Sequence, residues 1–425
     1  MIETRLKLDE DWELDDVVPF DSFEGKTSYL MRGKNALNVK LSPSAYSLLK
    51  AVHSGKSFAE FAQAVNKAEK GTTVTESELR SKYEAVLGQL HQIREQSDMA
   101  AGVRLPWGYR ARLCLIPKSA VARIAAFLSY LYHPASVVCC MFLLMAALAT
   151  AFRLGSPLGF ENNSLLPGLG LFTIAMLAHE LGHASACMWF GEAPSEIGFT
   201  IYLIYPAFYS DVSCAWRLRR RQRVVVDLGG CYFQSIISCI FLFAYYATRW
   251  EPLRACVTIS LFTALFSLNP IFKFDGYWML ADLLGVANLT KQPRRIGRFI
   301  LDSILRKSPE PLPWPKHIVC VLVAYSTVAP FVWVRFVLRL LPMMGAQLIL
   351  AARTLPLIVA QAATGKMPSW HQFGSFVFSL LQFAISFVLV WSIALAMGRI
   401  LLRATASRRT RHGLEPTKQG TIKPA

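Results

Sequence analysis

Long apolar runs dominate the chain after a polar segment of about a hundred residues. Each run is near or above the roughly 18–20 residues that a helix needs to cross the hydrocarbon of a bilayer. The runs lie at about 135–152, 165–190, 224–248, 253–286, 317–341 and 373–402. The pattern predicts a mostly α protein, a polytopic transmembrane helical bundle of about six spans.

Residues 343–363 form a further apolar stretch, with Arg353 at its centre and Pro356 after it. An arginine in the middle of a bilayer costs on the order of 3 kcal/mol by insertion scales. We therefore interpret this stretch as an interfacial helix outside the six spans. With six spans and no signal peptide in the acidic N-terminal segment, both termini are expected in the cytosol.

The first hundred residues are predicted to form a small cytosolic α/β domain resembling a winged helix. Two strands, Tyr29–Arg32 and Leu37–Leu41, precede three helices with capping signals at their starts. These helices are predicted at Ala45–Val52 after Ser42-Pro43, at Phe58–Val65 after Ser57 with Glu60, and at Leu79–Ile93 after Thr75 with Glu78. The rest of the chain divides into a linker with an interfacial helix (101–134), a membrane core (135–290), a C-terminal transmembrane region (291–402) and a basic cytosolic tail (403–425).

Composition and charge support a membrane location. The chain is 53% hydrophobic and 17% charged, and its formal net charge is +17. Basic residues cluster beside the apolar runs, at 217–223, 294–307 and 403–411, as the positive-inside rule predicts for cytoplasmic loops. We therefore expect a lipid bilayer and no nucleic acid as partner.

The nine cysteines form no CxxC pair, so neither a disulfide framework nor a cysteine zinc site is predicted.

The segment with the clearest chemistry is His179-Glu180-Leu181-Gly182-His183, an HExxH motif inside the second apolar run. Residues i and i+4 share one helix face, so both imidazoles can bind one Zn²⁺ ion. Glu180 lies one position round the helix, where it can serve as general base and proton shuttle. Ionisable side chains are costly in a membrane span and are functional by default, so we expect a metal site here.

A catalytic zinc site usually has three protein ligands and one open position. His317 and His371 stand at the ends of apolar runs and have the character of interface residues. The better candidate is Asp275, because Pro270 breaks the fourth run and Gly276 permits an unusual turn beside it. An interrupted helix within a membrane is tolerated where it lines a cavity. The alternative is that Asp275 only caps a helix end at the interface.

The HExxH motif and the segment Asn269–Tyr277 together resemble the site-2 protease family of intramembrane zinc metalloproteases. The resemblance covers roughly residues 120–290 and is closer to the peptide zinc metalloprotease branch, with similar stretches at 205–213 and 282–289. It implies Asp275 as third zinc ligand, Asn269 as a substrate or oxyanion contact, and a membrane-fusion or transporter secretion complex as partner. Asn269 adjoins Pro270 and Phe274 precedes Asp275, which departs from the usual pattern.

The sequence also predicts structure in two further stretches. Residues 120–132 are predicted as an interfacial helix. The apolar loop Ile197–Phe208 either re-enters the membrane and presents an edge strand to substrate, as site-2 proteases do, or packs as a surface loop. Each alternative is compatible with the break that Pro206 introduces.

The N-terminal segments Leu37–Pro43, Leu48-Leu49 and Phe58–Phe61 resemble the PqqD-like peptide-recognition domain. Such domains bind the leader of a ribosomally made peptide by adding a strand to a sheet edge. The alternative is a plain folding or regulatory domain.

The predicted function is that of a zinc metalloendopeptidase in the cell membrane that cleaves a peptide bond near the cytosolic face. The leading substrate is a ribosomally made precursor peptide. One alternative is regulated intramembrane proteolysis of a membrane-anchored regulator. Another is a non-catalytic peptide-binding or export protein with a structural metal, against which the intact Glu180 argues, since a structural site needs no base.

Overall fold

The protein is mostly helical, with a small N-terminal strand region. The structure, a computed structural model, describes residues 12–20, 28–33, 38–68, 74–103, 109–155, 158–159, 164–202, 205–286, 288–305, 312–365 and 372–391 except 375, 378, 381, 385 and 389. Its principal elements are β1 (Trp12–Pro19), β2 (Tyr29–Gly33), β3 (Asn38–Leu41), α1 (Pro43–His53), α2 (Phe58–Ala68), α3 (Glu76–Val103), β4 (Tyr109–Ile116), α4 (Lys118–Leu128), α5 (Pro134–Leu154), α6 (Leu165–Trp189), β5 (Ile197–Tyr202), β6 (Tyr205–Ser210), α7 (Arg220–Thr248), α8 (Glu251–Ser267), α9 (Asp275–Leu284), α10 (Gln292–Ile304) and α11 (Lys316–Ala363).

The N-terminal domain is an antiparallel sheet in the order β1-β2-β3 with α1, α2 and α3 packed on it. Met31, Leu49 and Tyr83 are almost fully buried and bring sheet and helices into one core.

The predicted capping residues make the expected hydrogen bonds at the start of α2. The Ser57 hydroxyl accepts the Glu60 amide, and the Glu60 carboxylate accepts the Ser57 amide.

The predicted strands and helices of this domain are confirmed as elements, but β1 was missed. Its sequence, Trp-Glu-Leu-Asp-Asp-Val-Val-Pro, alternates apolar and acidic residues only at its start, and Trp12 and Leu14 are buried in the core. The alternation is lost at Asp15-Asp16, where the pairing with β2 is irregular, so the sequence carries no continuous period-2 signal here. The peptide-binding role of the domain stays a prediction.

Three helices of the described part of the chain are long and apolar enough to cross a membrane: α5, α7 and α11. This is compatible with a membrane protein. Along α5, large apolar side chains such as Phe142 and Phe152 are exposed to the surroundings, as expected for a helix that faces lipid. The count of six spans stays a prediction, and residues 392–402 and the tail 403–425 lie outside the described residues.

Helix α11 is one continuous helix of 48 residues. At 1.5 Å per residue it is about 72 Å long, more than twice the thickness of a hydrocarbon core. Residues 343–363 therefore do not form a separate helix, since they continue α11, and their placement at the membrane interface stays a prediction. Pro330, Pro342 and Pro356 lie inside the helix without ending it. The chain divides into two compact units, and α11 after Thr327 belongs to the second.

Glycines bring the core helices into close contact. A side chain on Gly182 of α6 would overlap the backbone of Gly229 on α7, so the two helices approach backbone to backbone. The hydroxyl of Tyr132, in a 3-10 turn at Ser129–Tyr132 that follows α4, donates to the Gly182 carbonyl at 2.9 Å. The HExxH helix is thereby fixed from two sides.

The fourth apolar run is broken, as Pro270 predicted. Helix α8 ends at Ser267 and α9 begins at Asp275, with an irregular turn between them. A side chain on Gly276 would overlap the backbone of Leu268, so the chain folds back closely on itself here.

Within the loop Ile197–Phe208 the described residues form two strands, while re-entry into the membrane and contact with substrate stay predictions. Strands β5 and β6 join β4 in a three-stranded sheet of order β4-β5-β6. Strand β4, in the predicted linker, was not expected. Because β6 ends the order, it is an edge strand of this sheet.

Candidate metal centre

The structure brings His179, His183 and Asp275 together, although 92 residues separate the last two in sequence. The Nε2 atoms of the two histidines are 3.2 Å apart. Asp275 Oδ2 lies 3.0 Å from His179 Nε2 and 3.6 Å from His183 Nε2. Zinc ligands at 2.0–2.1 Å in a tetrahedron are separated by roughly 3.3 Å. The three atoms thus have the spacing of one face of a tetrahedral metal site.

The hydrogen bonds of the histidines fix which ring nitrogen faces the site. The Nδ1 atom of His183 lies 2.7 Å from the Val226 carbonyl, which only accepts, so this nitrogen carries the proton. The Nδ1 atom of His179 lies 3.0 Å from Gln234 Oε1. Gln234 Nε2 donates to the Ser260 carbonyl and to Thr263 Oγ1, so its oxygen must be the atom that faces His179. In neutral imidazoles, the form that binds a metal, both Nε2 atoms then present lone pairs to Asp275.

Three acceptors that converge on one point repel one another unless a cation lies between them. The two imidazole nitrogens and the Asp275 carboxylate oxygen are such a set, and both histidines are more than nine-tenths buried. Histidines that donate Nδ1–H to an oxygen and ligate through Nε2 are the usual arrangement at zinc. The residues present fit a zinc ion.

Gly230 on α7 forms one wall of the site. A side chain built on it would overlap the Nε2 atoms of both His179 and His183. No residue other than glycine leaves room for a metal at this place, because even one methyl group would fill it. The close packing of α6 and α7 and the space for the ion depend on the same pair, Gly229 and Gly230.

Glu180 is buried beside the cluster, and the Ser210 backbone amide donates to its carboxylate. Ser210 is the last residue of the edge strand β6. A general base is thus placed between the metal ligands and β6, an outer strand of this sheet among the residues that the structure describes.

Two contacts position Asp275. The Ser267 hydroxyl donates to Asp275 Oδ2 at 2.8 Å across the helix break. Two turns further along α9, Asp282 accepts from Arg223 Nε of α7 at 2.7 Å, and both side chains are buried. This ion pair attaches α9 to α7, the helix that also supplies Gly230.

Asn269 has a structural contact of its own. Its Oδ1 accepts the Ile271 amide at 2.9 Å and shapes the turn around Pro270. This contact lies in the turn and not in the ligand cluster, and the role of Asn269 toward substrate stays a prediction. Of the other histidines considered as ligands, His317 begins α11 outside the cluster, and His371 lies outside the described residues.

Sequence reasoning missed Gln234 and Cys231. The ligand atoms of His179, Cys231 and Asp275 all lie within 4.8 Å of one another. The available signal was a glutamine inside an apolar run, which is rarely placed in a membrane without a function. Its spacing of four residues from Gly230 puts both on one face of α7.

A relative from Bacillus subtilis (strain 168), named "Putative peptide zinc metalloprotease protein YydH", is 28% identical to this chain over 117 residues. The match covers 27% of this chain and 46% of the relative, so the chain spans less than half of that protein's length. No protein-family model and no solved structure matches the chain. The similarity supports the zinc metalloprotease class, while the narrower likeness to site-2 proteases and to PqqD stays a prediction.

Replacing Gln234 with leucine is expected to weaken zinc binding about 10–100-fold, the usual effect of removing the partner of a ligating histidine. The His179 ring would lose the contact that fixes its proton and its orientation. Competition with a chelator, followed by metal analysis, measures the change. Gln222→Leu on the same helix is the matched control and should keep wild-type affinity. The Gln222 side chain accepts the Arg219 amide at the start of α7 and forms no hydrogen bond with a histidine among the residues that the structure describes. Equal affinities in both variants would refute the role of Gln234.

Proposed function

We propose that the protein is a membrane-embedded zinc metalloendopeptidase that cleaves a peptide bond near the cytosolic face. The observation that carries the proposal is the convergence of His179, His183 and Asp275 on one point, with Glu180 buried next to them. A structural metal needs closed coordination and no base, so a carboxylate held beside three ligands favours catalysis.

In this mechanism His179, His183 and Asp275 hold the ion, while Gln234 and the Val226 carbonyl keep both imidazoles in the required orientation. When bound, zinc supplies a Lewis acid for the scissile carbonyl and lowers the pKa of water toward about 7. Glu180 accepts the proton of the attacking water and delivers it to the leaving amine. The Ser210 backbone lies beside this carboxylate.

The substrate is proposed to bind as an extended chain along β6. An edge strand offers unpaired backbone groups to a peptide, and the last residue of β6 contacts Glu180. A peptide paired with this edge would pass the general base.

The N-terminal domain is proposed to hold the leader of a ribosomally made precursor peptide. Phe20, which follows β1, packs its ring 6.1 Å from that of Trp216, in a 3-10 turn at Ser213–Arg217 after β6. The Arg223 guanidinium lies over both rings. The domain therefore contacts the segment between the strand edge and α7. A multi-pass location with both termini in the cytosol, and a secretion complex as partner, belong to the same proposal.

The test is co-expression of the full chain with candidate precursor peptides, with cleavage followed by mass spectrometry. Glu180→Gln removes the base and keeps the shape, so cleavage is expected to fall about 100–10,000-fold with zinc content unchanged. Asp302→Asn, on α10 and outside both the ligand cluster and the N-terminal domain, is the matched control and should cleave as wild type. If Glu180→Gln cleaves as well as wild type, the mechanism is wrong. Cleavage of a membrane anchor in place of the precursors would favour regulated intramembrane proteolysis.

A further inference from the structure

Cys231 lies next to the proposed metal ligands. It follows Gly230 on α7, and its Sγ is within 4.8 Å of the ligand atoms of His179 and Asp275. The side chain is 7% exposed, so bulk solvent does not occupy the space around it. Together with His183, the site thus contains four side chains of the types that bind zinc.

Packing alone explains other buried cysteines better than it explains this one. Cys187 and Cys239 lie in clusters of apolar side chains, where a thiol acts as a small hydrophobic group. Cys231 instead borders two polar ligands, and its hydrogen bond to the Ala264 carbonyl on α8 is 4.0 Å long. A thiol is a weak donor and a contact of that length is weak, so little hydrogen-bond energy is lost when the sulfur moves away.

The site has one coordination position for an additional ligand. Two imidazoles and one carboxylate leave the fourth corner of a tetrahedron open, and a thiolate binds zinc at about 2.3 Å. Sulfur and nitrogen ligands of one zinc are separated by roughly 3.5 Å, so from within 4.8 Å of the His179 and Asp275 ligand atoms the sulfur must move closer to the site to bind. Soft thiolate ligands favour zinc over hard cations, so the bond would be strong once formed.

We propose that Cys231 is a displaceable fourth ligand that closes the metal site when no peptide is bound. This rests on the proposed zinc site. On closing, the thiol would give its proton to the hydroxide that it displaces, which would leave as water, and the thiolate would become the fourth ligand. On opening, an entering water molecule would return one proton to the sulfur and take its place as hydroxide, and the thiol would move back toward the Ala264 carbonyl. The resting protein would thus retain its ion without hydrolysing peptides.

Cobalt substitution tests this without reference to activity. The full chain is loaded with Co²⁺ in detergent, without peptide, and its absorption spectrum is recorded. Tetrahedral Co²⁺ gives visible bands with any ligand set, whereas an intense near-ultraviolet charge-transfer band requires a thiolate. Wild type should give both. Cys231→Ser should keep the visible bands and lose the near-ultraviolet band, as should Cys231→Ala. Cys239→Ser, two turns further along α7, should keep both.

The outcomes separate the two proposals. Visible bands without a near-ultraviolet band in wild type overturn the role of Cys231 and leave the three-ligand site standing. A near-ultraviolet band that persists in Cys231→Ser and Cys231→Ala also overturns it. Wild-type protein that takes up no tetrahedral Co²⁺ overturns the proposed metal site itself.

Discussion

Replacing Gly230 with alanine should abolish metal binding. The new methyl group would overlap the Nε2 atoms of both His179 and His183, the two atoms that must face the ion. The overlap could be removed only if α7 moved away from α6. Such a movement would break the backbone contact between Gly182 and Gly229. The expected loss of zinc affinity is therefore at least about 100-fold, the upper end of what changes around a metal site produce.

Gly170→Ala is the matched control, because it is also a helical glycine and lies on α6. A side chain there meets nothing within 4 Å. We expect unchanged zinc content and a stability equal to wild type or up to about 1 kcal/mol higher, since alanine favours a helix over glycine. Metal analysis and thermal unfolding of both variants in detergent measure the contrast. Full zinc occupancy in Gly230→Ala would show that α7 does not line the site.

Replacing Arg223 with methionine should destabilise the fold by about 3–5 kcal/mol, because it leaves Asp282 as a buried charge without its partner. The ion pair attaches α9 to α7, so Asp275 should also lose its position and zinc affinity should fall. The double variant Arg223→Met with Asp282→Leu removes both charges and should recover part of the stability. Unfolding by heat or denaturant in detergent measures each step.

Arg221→Met provides the comparison for this prediction. Arg221 is exposed and lies two residues away on the same helix. Its replacement should change stability by no more than about 0.5 kcal/mol. If Arg223→Met is as stable as Arg221→Met, the buried ion pair does not support α9.

Local signals in the sequence were sufficient for several elements. The cap residues Ser42, Ser57 and Thr75 begin helices because each satisfies amides that the first turn leaves free. The HExxH spacing places His179 and His183 on one face for the same local reason, the helical period. Pro270 interrupts the fourth run because proline cannot complete the helical hydrogen bonds.

Features set by distant contacts could not be predicted in this way. Strand β4 exists because it pairs with β5, some eighty residues later in the chain. Gln234 contacts His179 and the Ser260 carbonyl only because α6, α7 and α8 pack together. No local sequence pattern specifies which helices become neighbours. The continuity of α11 through Pro342 likewise contradicts the local propensity of proline to end a helix.

The role of Asp275 as third ligand could be predicted only in part from local signals. The broken helix made Asp275 the better candidate from the sequence, while a simple helix cap remained the alternative for an aspartate at a helix start. The 3.0 Å and 3.6 Å separations from the two histidines are what favour ligation.

The zinc content of the purified full chain tests the central claim most directly, measured for wild type, Asp275→Ala and the control Asp302→Ala on α10. We predict about one zinc ion per chain in wild type and in Asp302→Ala, and a loss of most of it in Asp275→Ala, because two histidines alone leave the ion without its charged ligand. Undiminished zinc in Asp275→Ala, or no zinc in wild type, would contradict the site described here.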